Sequence, residues 1–192
     1  MLTLYFTPGA SSMATHIALH EIGAPFERRF ISLSKKENLT PDYLALNPEG
    51  KVPTLVVDGR PLTEVAANLW YLARQFPQAG LLAQNDPLAE AEVLSWMSFI
   101  ASTIHPARRI GVDRWKEVFH FAEQRLGGRD WAVGRYSIAD IHLFRLYWRF
   151  DRTLKPARND YPGLVAHYAR MMARPAVQQT CEIESAIGYE LP

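Results

Sequence analysis

The spacing of hydrophobic positions in the first third of the chain switches between strand and helix periods. Residues 2–6 alternate between apolar and polar and are rich in β-formers, which predicts a strand ending at Thr7-Pro8-Gly9. Ser11 or Ser12 can then cap a helix that extends to about residue 22. Gly23 is suited to the left-handed conformation that follows a helix, so it predicts the helix end.

Turn and cap signals continue this succession of strands and helices to about residue 76. A second strand is predicted over residues 26–32, and Thr40-Pro41 places an N-cap and a first-position proline at the start of a short helix. Asp58-Gly59 supplies the positive φ of a tight turn and predicts a hairpin over residues 54–62. Thr63 is expected to cap a helix whose apolar positions share one face: Val65, Leu69, Leu72 and Phe76. The predicted order is β-α-β-α-β-β-α.

Beyond a break at residues 77–80 only helical patterns remain. A long helix is predicted to open at Asp86-Pro87 and to end or kink at His105, because the following proline disfavours the α conformation. Further helices are predicted over about residues 113–126, from the capping signature at 137–140 onward, over 161–173, and from Pro175. We therefore expect an α/β domain over residues 1–78, a linker over 79–86 and an all-helical domain over 87–192.

The helix that starts after Ser137 has a distinctive pattern, since it is apolar nearly all round. Its polar residues form a single stripe at spacings of three or four: His142, Arg145, Arg149 and Arg152. Such a pattern predicts a mostly buried central helix with one solvent-exposed edge.

Composition narrows the function classes. Hydrophobic residues make up 48% and charged residues 21% of the 192 residues, which is typical of a globular protein. Twenty-one basic minus twenty acidic residues leaves a net charge of +1, too little to attract nucleic acid or an anionic membrane nonspecifically. We see no signal-peptide pattern and no apolar run of about 18 residues, so we expect a cytoplasmic protein that neither binds nucleic acid nor spans a membrane.

Cys181 is the single cysteine of the sequence. One cysteine excludes an intrachain disulfide, a CxxC redox pair and a zinc site with two or more cysteine ligands. Its apolar neighbours in the last predicted helix lead us to expect an unreactive thiol.

Four features of the predicted α/β domain are candidates for ligand binding. Ser11 and Ser12 stand at a helix start, where unpaired N–H groups and the helix dipole favour an anion, although capping is the commoner role of serine there. Val52-Pro53 precedes a strand, and a cis bond there would turn the Val52 backbone outward to pair with an extended ligand. Glu64 either complements a helix dipole or receives an ammonium group, and Lys35 lies in the loop after the second strand.

In combination, these motifs resemble the N-terminal pattern of the glutathione S-transferase family. The matching elements are Pro8-Gly9-Ala10-Ser11-Ser12, Lys35, Asn47-Pro-x-Gly-x-Val52-Pro53 and Leu62-Thr63-Glu64. Ser137-Ile138-Ala139-Asp140 matches the family's capping signature in its helical domain, so the resemblance covers the whole chain. Pro8-Gly9-Ala10 and His105 are most similar to the bacterial beta class.

The resemblance implies a thioredoxin-like N-terminal domain that binds glutathione as a co-substrate, a helical domain that contributes the electrophile pocket, a homodimer, and no metal or redox cofactor. The positions that it implies for glutathione binding are Ser11, Lys35, Val52, Pro53, Glu64 and Val65, with Ser98 and Ser102 reaching the site of the partner subunit. Ser11 would donate a hydrogen bond to the glutathione sulfur, with Tyr5 and Ser12 as rival donors and His105 lining the site.

Two departures from the family pattern affect the expected chemistry. Ser11 stands where the beta class usually has cysteine, which removes a route to a mixed disulfide, and Val65 stands where many members have serine. We therefore expect transfer of the glutathione thiolate to a small, largely apolar electrophile rather than thiol-disulfide exchange. A noncatalytic glutathione-binding or interaction module is an alternative, and so is a glutathione-dependent isomerase or dehalogenase on the same scaffold.

Two further groups of residues have a weaker claim to function. His16 and His20 have the i, i+4 spacing of metal ligands, but without an evident third ligand we expect surface or packing histidines. A basic group in the helical domain either favours acidic co-substrates or forms a solvated face: Arg108, Arg109, Arg114 and Lys116.

Overall fold

The computed structural model describes residues 1–191, which form two compact units. The first unit contains residues 1–76 together with the residues from 175 onward, and the second contains residues 77–174. Our division of the sequence assigned the last helix to the helical domain, whereas its contacts place it with the α/β unit.

A four-stranded mixed sheet with strand order β2-β1-β3-β4 organises the first unit. The strands are β1 (Leu2–Phe6), β2 (Phe26–Phe30), β3 (Thr54–Val57) and β4 (Arg60–Thr63). β1 runs parallel to β2 and antiparallel to β3, and β3 and β4 form the predicted hairpin. Asp58 and Gly59 have φ values of 47° and 83°, as a two-residue type I′ turn requires.

Three helices follow the strands of this unit in the predicted order: α1 (Ser12–Ile22), α2 (Pro41–Leu46) and α3 (Val65–Gln75). Thr40 caps α2 as predicted, since its hydroxyl accepts from the Tyr43 N–H. Ser11 occupies the N-cap position of α1, one of the two positions predicted, but its side chain forms no cap hydrogen bond there. The prediction that Thr63 caps α3 was wrong, because Thr63 is the last residue of β4 and Glu64 takes the N-cap position.

The second unit is helical throughout its regular structure. Its helices are α4 (Pro87–Phe99), a π-helical segment (Ile100–Ile104), α5 (His105–Ile110), α6 (Val112–Leu126), α7 (Ile138–Leu154) and α8 (Pro162–Met172), with short 3-10 turns at Pro77–Ala79 and Arg158–Asp160. An aromatic cluster lies at the centre, where the Phe119 and Phe150 ring centroids are 4.3 Å apart and Trp115 and Tyr161 meet Phe150 edge-on. No helix within residues 1–191 combines the length and apolarity that a membrane span needs.

The prediction that a helix ends or kinks at His105 was wrong, because a π-helical segment leads directly into α5 at this residue. His105 has α-helical φ and ψ of −59° and −47°, and its N–H donates to the carbonyl of Ile100, five residues back. Pro106 lacks an N–H, and its ring would collide with the carbonyl of Ser102 in an uninterrupted α-helix. We attribute the wider π turns before it to this requirement, because they let the helical path continue into α5.

α7 starts at the predicted capping box. The Ser137 hydroxyl accepts from the Ala139 N–H, and the Asp140 carboxylate accepts from the Ser137 N–H at 2.9 Å. Asp140 is fully buried and also accepts from the Ala132 N–H at 2.7 Å, with His167 Nε2 at 3.1 Å from its Oδ1. These bonds compensate the cost of burying the carboxylate.

The solvent-exposed edge expected for α7 is not present over most of its length. His142, Arg145 and Arg149 are only 1%, 6% and 8% exposed, and Arg152 is the member of the predicted stripe that is exposed. Polar residues at regular spacing indicate one face of a helix, but they do not indicate whether other segments cover that face.

The last helix, α9 (Pro175–Ile187), packs against α1 within the first unit. Its buried positions recur at helical spacing and are Ala176, Val177, Thr180 and Glu184. An acidic side chain therefore occupies a place on an otherwise apolar or weakly polar buried face.

Candidate active site

The sheet register places several predicted site residues at one end of the sheet in the first unit. Tyr5 in β1 pairs with Thr54 in β3, and Thr54 pairs with Thr63 in β4. Pro53 directly precedes this row and Glu64 directly follows it. The loop that carries Lys35 leaves the sheet at the same end, because β1 and β2 are parallel.

Ser11 follows a tight turn at the end of β1. The Ala10 N–H donates to the Thr7 carbonyl at 3.0 Å, and Gly9 has a φ of 76°. Proline at the second position and a positive φ at the third define a type II turn. This turn delivers Ser11 to the N-cap position of α1, where the helix dipole favours negative charge.

The half-buried Ser11 hydroxyl donates to the Val52 carbonyl at 2.9 Å. The Val52–Pro53 peptide bond is cis. Tyr43 and Asn47 support the loop before it, with their hydroxyl and amide groups donating to the Lys51 carbonyl at 2.6 and 2.7 Å. Burial raises the pKa of Tyr43, which therefore stays protonated as a donor. The structure thus brings together two sites that are 41 positions apart in the sequence.

Ser12 does not present its hydroxyl to a ligand. The residue is fully buried, and its Oγ accepts from the Thr7 N–H and donates to the Thr7 carbonyl, both at 3.1 Å. Of the two adjacent serines, Ser11 is the one that remains accessible.

Tyr5 lies on the same side of the sheet as the Ser11–Val52 pair. It packs on a cluster formed by Ala10, Tyr43 and Val52, with its ring centroid 5.7 Å from that of Tyr43. Phe6 points to the other face of β1, as strand alternation requires. Its ring centroid lies 5.1 Å from that of His16. Tyr5 is therefore the residue of this pair that stays available as a rival donor.

Glu64 has φ and ψ of 67° and 127°, a conformation that side-chain-bearing residues rarely adopt. Its side chain is exposed, and its carbonyl accepts from the Asn68 N–H at 3.0 Å in the first turn of α3. Val65 is buried, so it can offer a ligand its backbone N–H but not its side chain. Strained residues of this kind are concentrated at functional sites, which supports Glu64 as a ligand-binding position.

Lys35 is exposed, and its own N–H donates to Ser32 Oγ at 3.2 Å. The same loop is bound by Glu190, whose carboxylate accepts from the Ser32 hydroxyl at 2.6 Å and the Ser34 N–H at 2.9 Å. Burial alone would raise the pKa of Glu190, but the bonds from Ser32 and Ser34 outweigh it and hold the pKa below its usual range. The loop that presents Lys35 is therefore anchored by the end of the chain.

Ser98, Ser102 and His105 belong to the second unit and are exposed. The Ser102 hydroxyl donates to the Ser98 carbonyl at 2.8 Å, within their own helix. Burial, with His105 and Arg145 nearby, lowers the pKa of His142 to about 3. The expected roles of Ser98, Ser102 and His105 toward glutathione stay predictions.

The paired histidines of α1 have a packing role. His16 Nδ1 lies 2.9 Å from a carboxylate oxygen of Glu184, and its ring centroid is 5.0 Å from that of His20. Phe26 lies edge-on to both rings. Within residues 1–191 no cluster of three potential metal ligands occurs.

The members of the basic group in the helical unit differ in their surroundings. Arg114 pairs with Glu117 at 2.6 Å, whereas Arg108 lies beside the buried Arg149. Burial, with Arg108 nearby, lowers the pKa of Arg149. Arg109 and Lys116 are exposed.

Family models for the glutathione S-transferase N-terminal and C-terminal domains match residues 10–75 and 102–175, respectively. The chain belongs to the glutathione S-transferase family. It is 32% identical to glutathione S-transferase GstA of Escherichia coli O157:H7 over 95% of this chain and 98% of that one. The family resemblance predicted from the N-terminal motifs is thereby confirmed.

Solved transferase structures have the same fold. A sphingomonad glutathione S-transferase complexed with glutathione matches at a TM-score of 0.87, with 33% identity over 95% of this chain and 98% of that chain. A bacterial beta class transferase of Sphingomonas chungbukensis matches at 0.82, with 32% identity over 95% and 98% of the two chains. The predicted α/β plus all-α architecture with a thioredoxin-like N-terminal domain is confirmed.

The sequence motifs did not identify Glu184 or Glu190 as candidate residues. Glu184 is fully buried, and its carboxylate accepts from the Gly9 N–H at 2.7 Å. One signal was present: Glu184 follows Val177 and Thr180 at the i+7 and i+4 positions, on the face of α9 that is buried. An acid at such a position indicates a buried polar partner, but the pattern does not identify that partner.

Proposed function

We propose that this member of the family is a glutathione transferase, which conjugates the thiolate of glutathione to a small, largely apolar electrophile. The observation that carries the proposal is the contact between Ser11 Oγ and the Val52 carbonyl. This contact places the Ser11 hydroxyl and the start of α1 next to the backbone of Val52. The Ser11 hydroxyl has a single proton, so on binding it would turn from the Val52 carbonyl to the thiol of the peptide, and the released Val52 backbone would pair with the peptide.

The energetics require the thiol to lose its proton near neutral pH. A free thiol with a pKa of about 8.5 is only a few per cent ionised at pH 7. Lowering this pKa by about two units takes about 2.7 kcal/mol. A hydrogen bond to the charged sulfur supplies about 1.5–3 kcal/mol, and the helix start about 0.3–1 kcal/mol. Ser11 and α1 together reach this amount only in the upper part of these ranges, and desolvation of the thiolate opposes them, so the margin is narrow.

The rest of glutathione has counterparts at the same end of the sheet. Glu64 and the Val65 N–H would bind the γ-glutamyl end, the backbone next to Pro53 the cysteinyl part, and Lys35 the glycyl end. In the homodimer that we propose, Ser98 and Ser102 of each subunit would approach the glutathione bound by the other subunit. We expect the enzyme to act in the cytoplasm, without a metal or redox cofactor.

Two assays test this function in sequence. Retention of the full-length protein on immobilised glutathione, with elution by free glutathione, is expected. Conjugation of a chlorinated nitroaromatic, followed by absorbance, is then expected to depend on both protein and glutathione. Retention without any turnover would favour a glutathione-binding module, and the absence of both would contradict the proposal.

A further inference from the structure

The peptide unit between Pro8 and Gly9, in the turn directly before Ser11, is bound from the C-terminal end of the chain. The Gly9 N–H donates to Glu184 Oε2 at 2.7 Å. The Pro8 carbonyl accepts from the Glu190 N–H at 3.0 Å. The N–H and C=O of a trans peptide point in opposite directions, so these two bonds bind the peptide unit from both sides.

This peptide unit is the one whose orientation distinguishes the two common turn types. Type I and type II turns differ mainly by a flip of the central peptide, and a positive φ at the third position belongs to type II. Gly9, with its φ of 76°, is in the type II state. A flip would withdraw the Gly9 N–H from Glu184 and change the direction in which the chain enters α1 at Ser11.

Glu184 is itself fixed in place. It is fully buried, and its second oxygen, Oε1, lies 2.9 Å from Nδ1 of the equally buried His16 in α1. A buried carboxylate is costly, and an apolar side chain at such a position is often at least as stabilising. The position of Glu184 on the buried face of α9 therefore indicates a role other than packing stability.

We propose that Glu184 is a positioning residue for glutathione activation. By fixing the Pro8–Gly9 peptide in its type II orientation, the carboxylate holds the Ser11 hydroxyl at the Val52 backbone, where the thiol of glutathione would bind. The inference rests on the proposed function. Its physical basis is that a hydrogen bond weakens steeply with angle and distance, so a donor displaced by about 1 Å loses most of its effect on the thiolate.

Two variants of Glu184 distinguish the effect of side-chain length from the effect of the negative charge. The readout is the pKa of the bound thiol, followed in the full-length protein by the ultraviolet absorbance of the thiolate as pH is varied. Glu184→Gln keeps the length, and its amide oxygen can accept from Gly9, so we expect the wild-type pKa. Glu184→Asp keeps the charge but is one methylene too short, so we expect the pKa to rise by about one unit, an approximately tenfold loss of thiolate at pH values below it.

A control separates positioning from general destabilisation. Val177→Ala deletes buried methyl groups from the same face of α9 without touching the bond to Gly9, so we expect a lower unfolding midpoint and an unchanged thiol pKa. A wild-type thiol pKa in Glu184→Asp, an equal shift in Glu184→Gln, or the same shift in Val177→Ala would each overturn the inference. If the wild-type protein itself does not lower the pKa of bound glutathione, the proposed function fails and the inference fails with it.

Discussion

Glu64 combines a strained backbone with an exposed carboxylate. Its φ of 67° places a side-chain-bearing residue where glycine is favoured, and such conformations cost about 1–3 kcal/mol. The residue lies next to the row of paired strand residues that ends at Thr63, and it is the N-cap residue of α3. We interpret the strain as the cost of presenting the carboxylate and the first N–H groups of α3 to one ligand.

Replacing Glu64 by glycine should separate stability from binding. Glu64→Gly removes the Cβ that makes the positive φ costly, so we expect the unfolding midpoint to be maintained or raised. The same variant loses the carboxylate, and we expect the glutathione dissociation constant, measured by calorimetry, to rise about tenfold, as the loss of one charge-assisted hydrogen bond implies. Glu64→Gln retains the strain and isolates the charge. Undiminished affinity in both variants would contradict the assigned role.

At the level of secondary-structure elements, local signals identified most of the fold. Thr40 before α2, the Asp58-Gly59 turn and the Ser137 capping box act through neighbouring residues, so the sequence alone reveals them. The sequence showed where Pro106 interrupts a regular α-helix, but not that a π-helical segment would absorb the interruption. The burial of His142 and its neighbours was also not predictable, because it depends on segments distant in sequence.

Burial of His142 in α7 predicts a pH dependence of stability. Its pKa falls from 6.5 to about 3 in the folded protein. Between those pH values the unfolded chain binds a proton that the folded chain does not. The contribution of neutral His142 to the free energy of unfolding is therefore fully present above pH 6.5 and is lost as the pH falls toward 3. Where the unfolded chain alone is protonated, the slope approaches that of one proton, on the order of 1 kcal/mol per pH unit.

His142→Phe should remove this dependence, because its ring is of similar size and does not titrate. In urea unfolding between pH 7 and about pH 4, we expect the variant's free energy of unfolding to decline less steeply with acidification than that of the wild type. The slope that remains in the variant should include a contribution from His20. Burial, with His16 and Arg28 nearby, lowers the pKa of His20 to about 4. Identical slopes in the two proteins would show that His142 is not the titrating group.

At the scale of the whole molecule, the end of the chain returns to the α/β unit that the start of the chain forms. α9 packs on α1, Glu184 binds the turn before Ser11, and Glu190 binds the loop before Lys35. The four candidate motifs could be recognised in the sequence because each is a short local pattern. These long-range supports were not, since the acids bind groups 175 and 158 positions away.

Weakening the Glu190 anchor should affect binding more than chemistry. Glu190→Ala removes the carboxylate that accepts from Ser32 and Ser34 but keeps the N–H that binds Pro8, so the Lys35 loop becomes less ordered while the Ser11 turn is retained. We expect KM for glutathione to rise several-fold with kcat little changed, in steady-state conjugation assays. A fall in kcat at unchanged KM would contradict this division of roles.

We infer that the Ser11 hydroxyl, at the start of α1, stabilises the thiolate of bound glutathione by donating a hydrogen bond to its sulfur, while the thiol proton passes to solvent. The most direct test is to titrate the thiolate absorbance of bound glutathione against pH in the wild type, Ser11→Ala and Ser185→Ala. Ser185→Ala is the matched control, because it removes a serine hydroxyl from an exposed position of α9. We predict a pKa well below 8.5 in the wild type and Ser185→Ala, and a rise of about one to two units in Ser11→Ala. An unchanged pKa in Ser11→Ala would show that Ser11 is not the donor and would favour Tyr5.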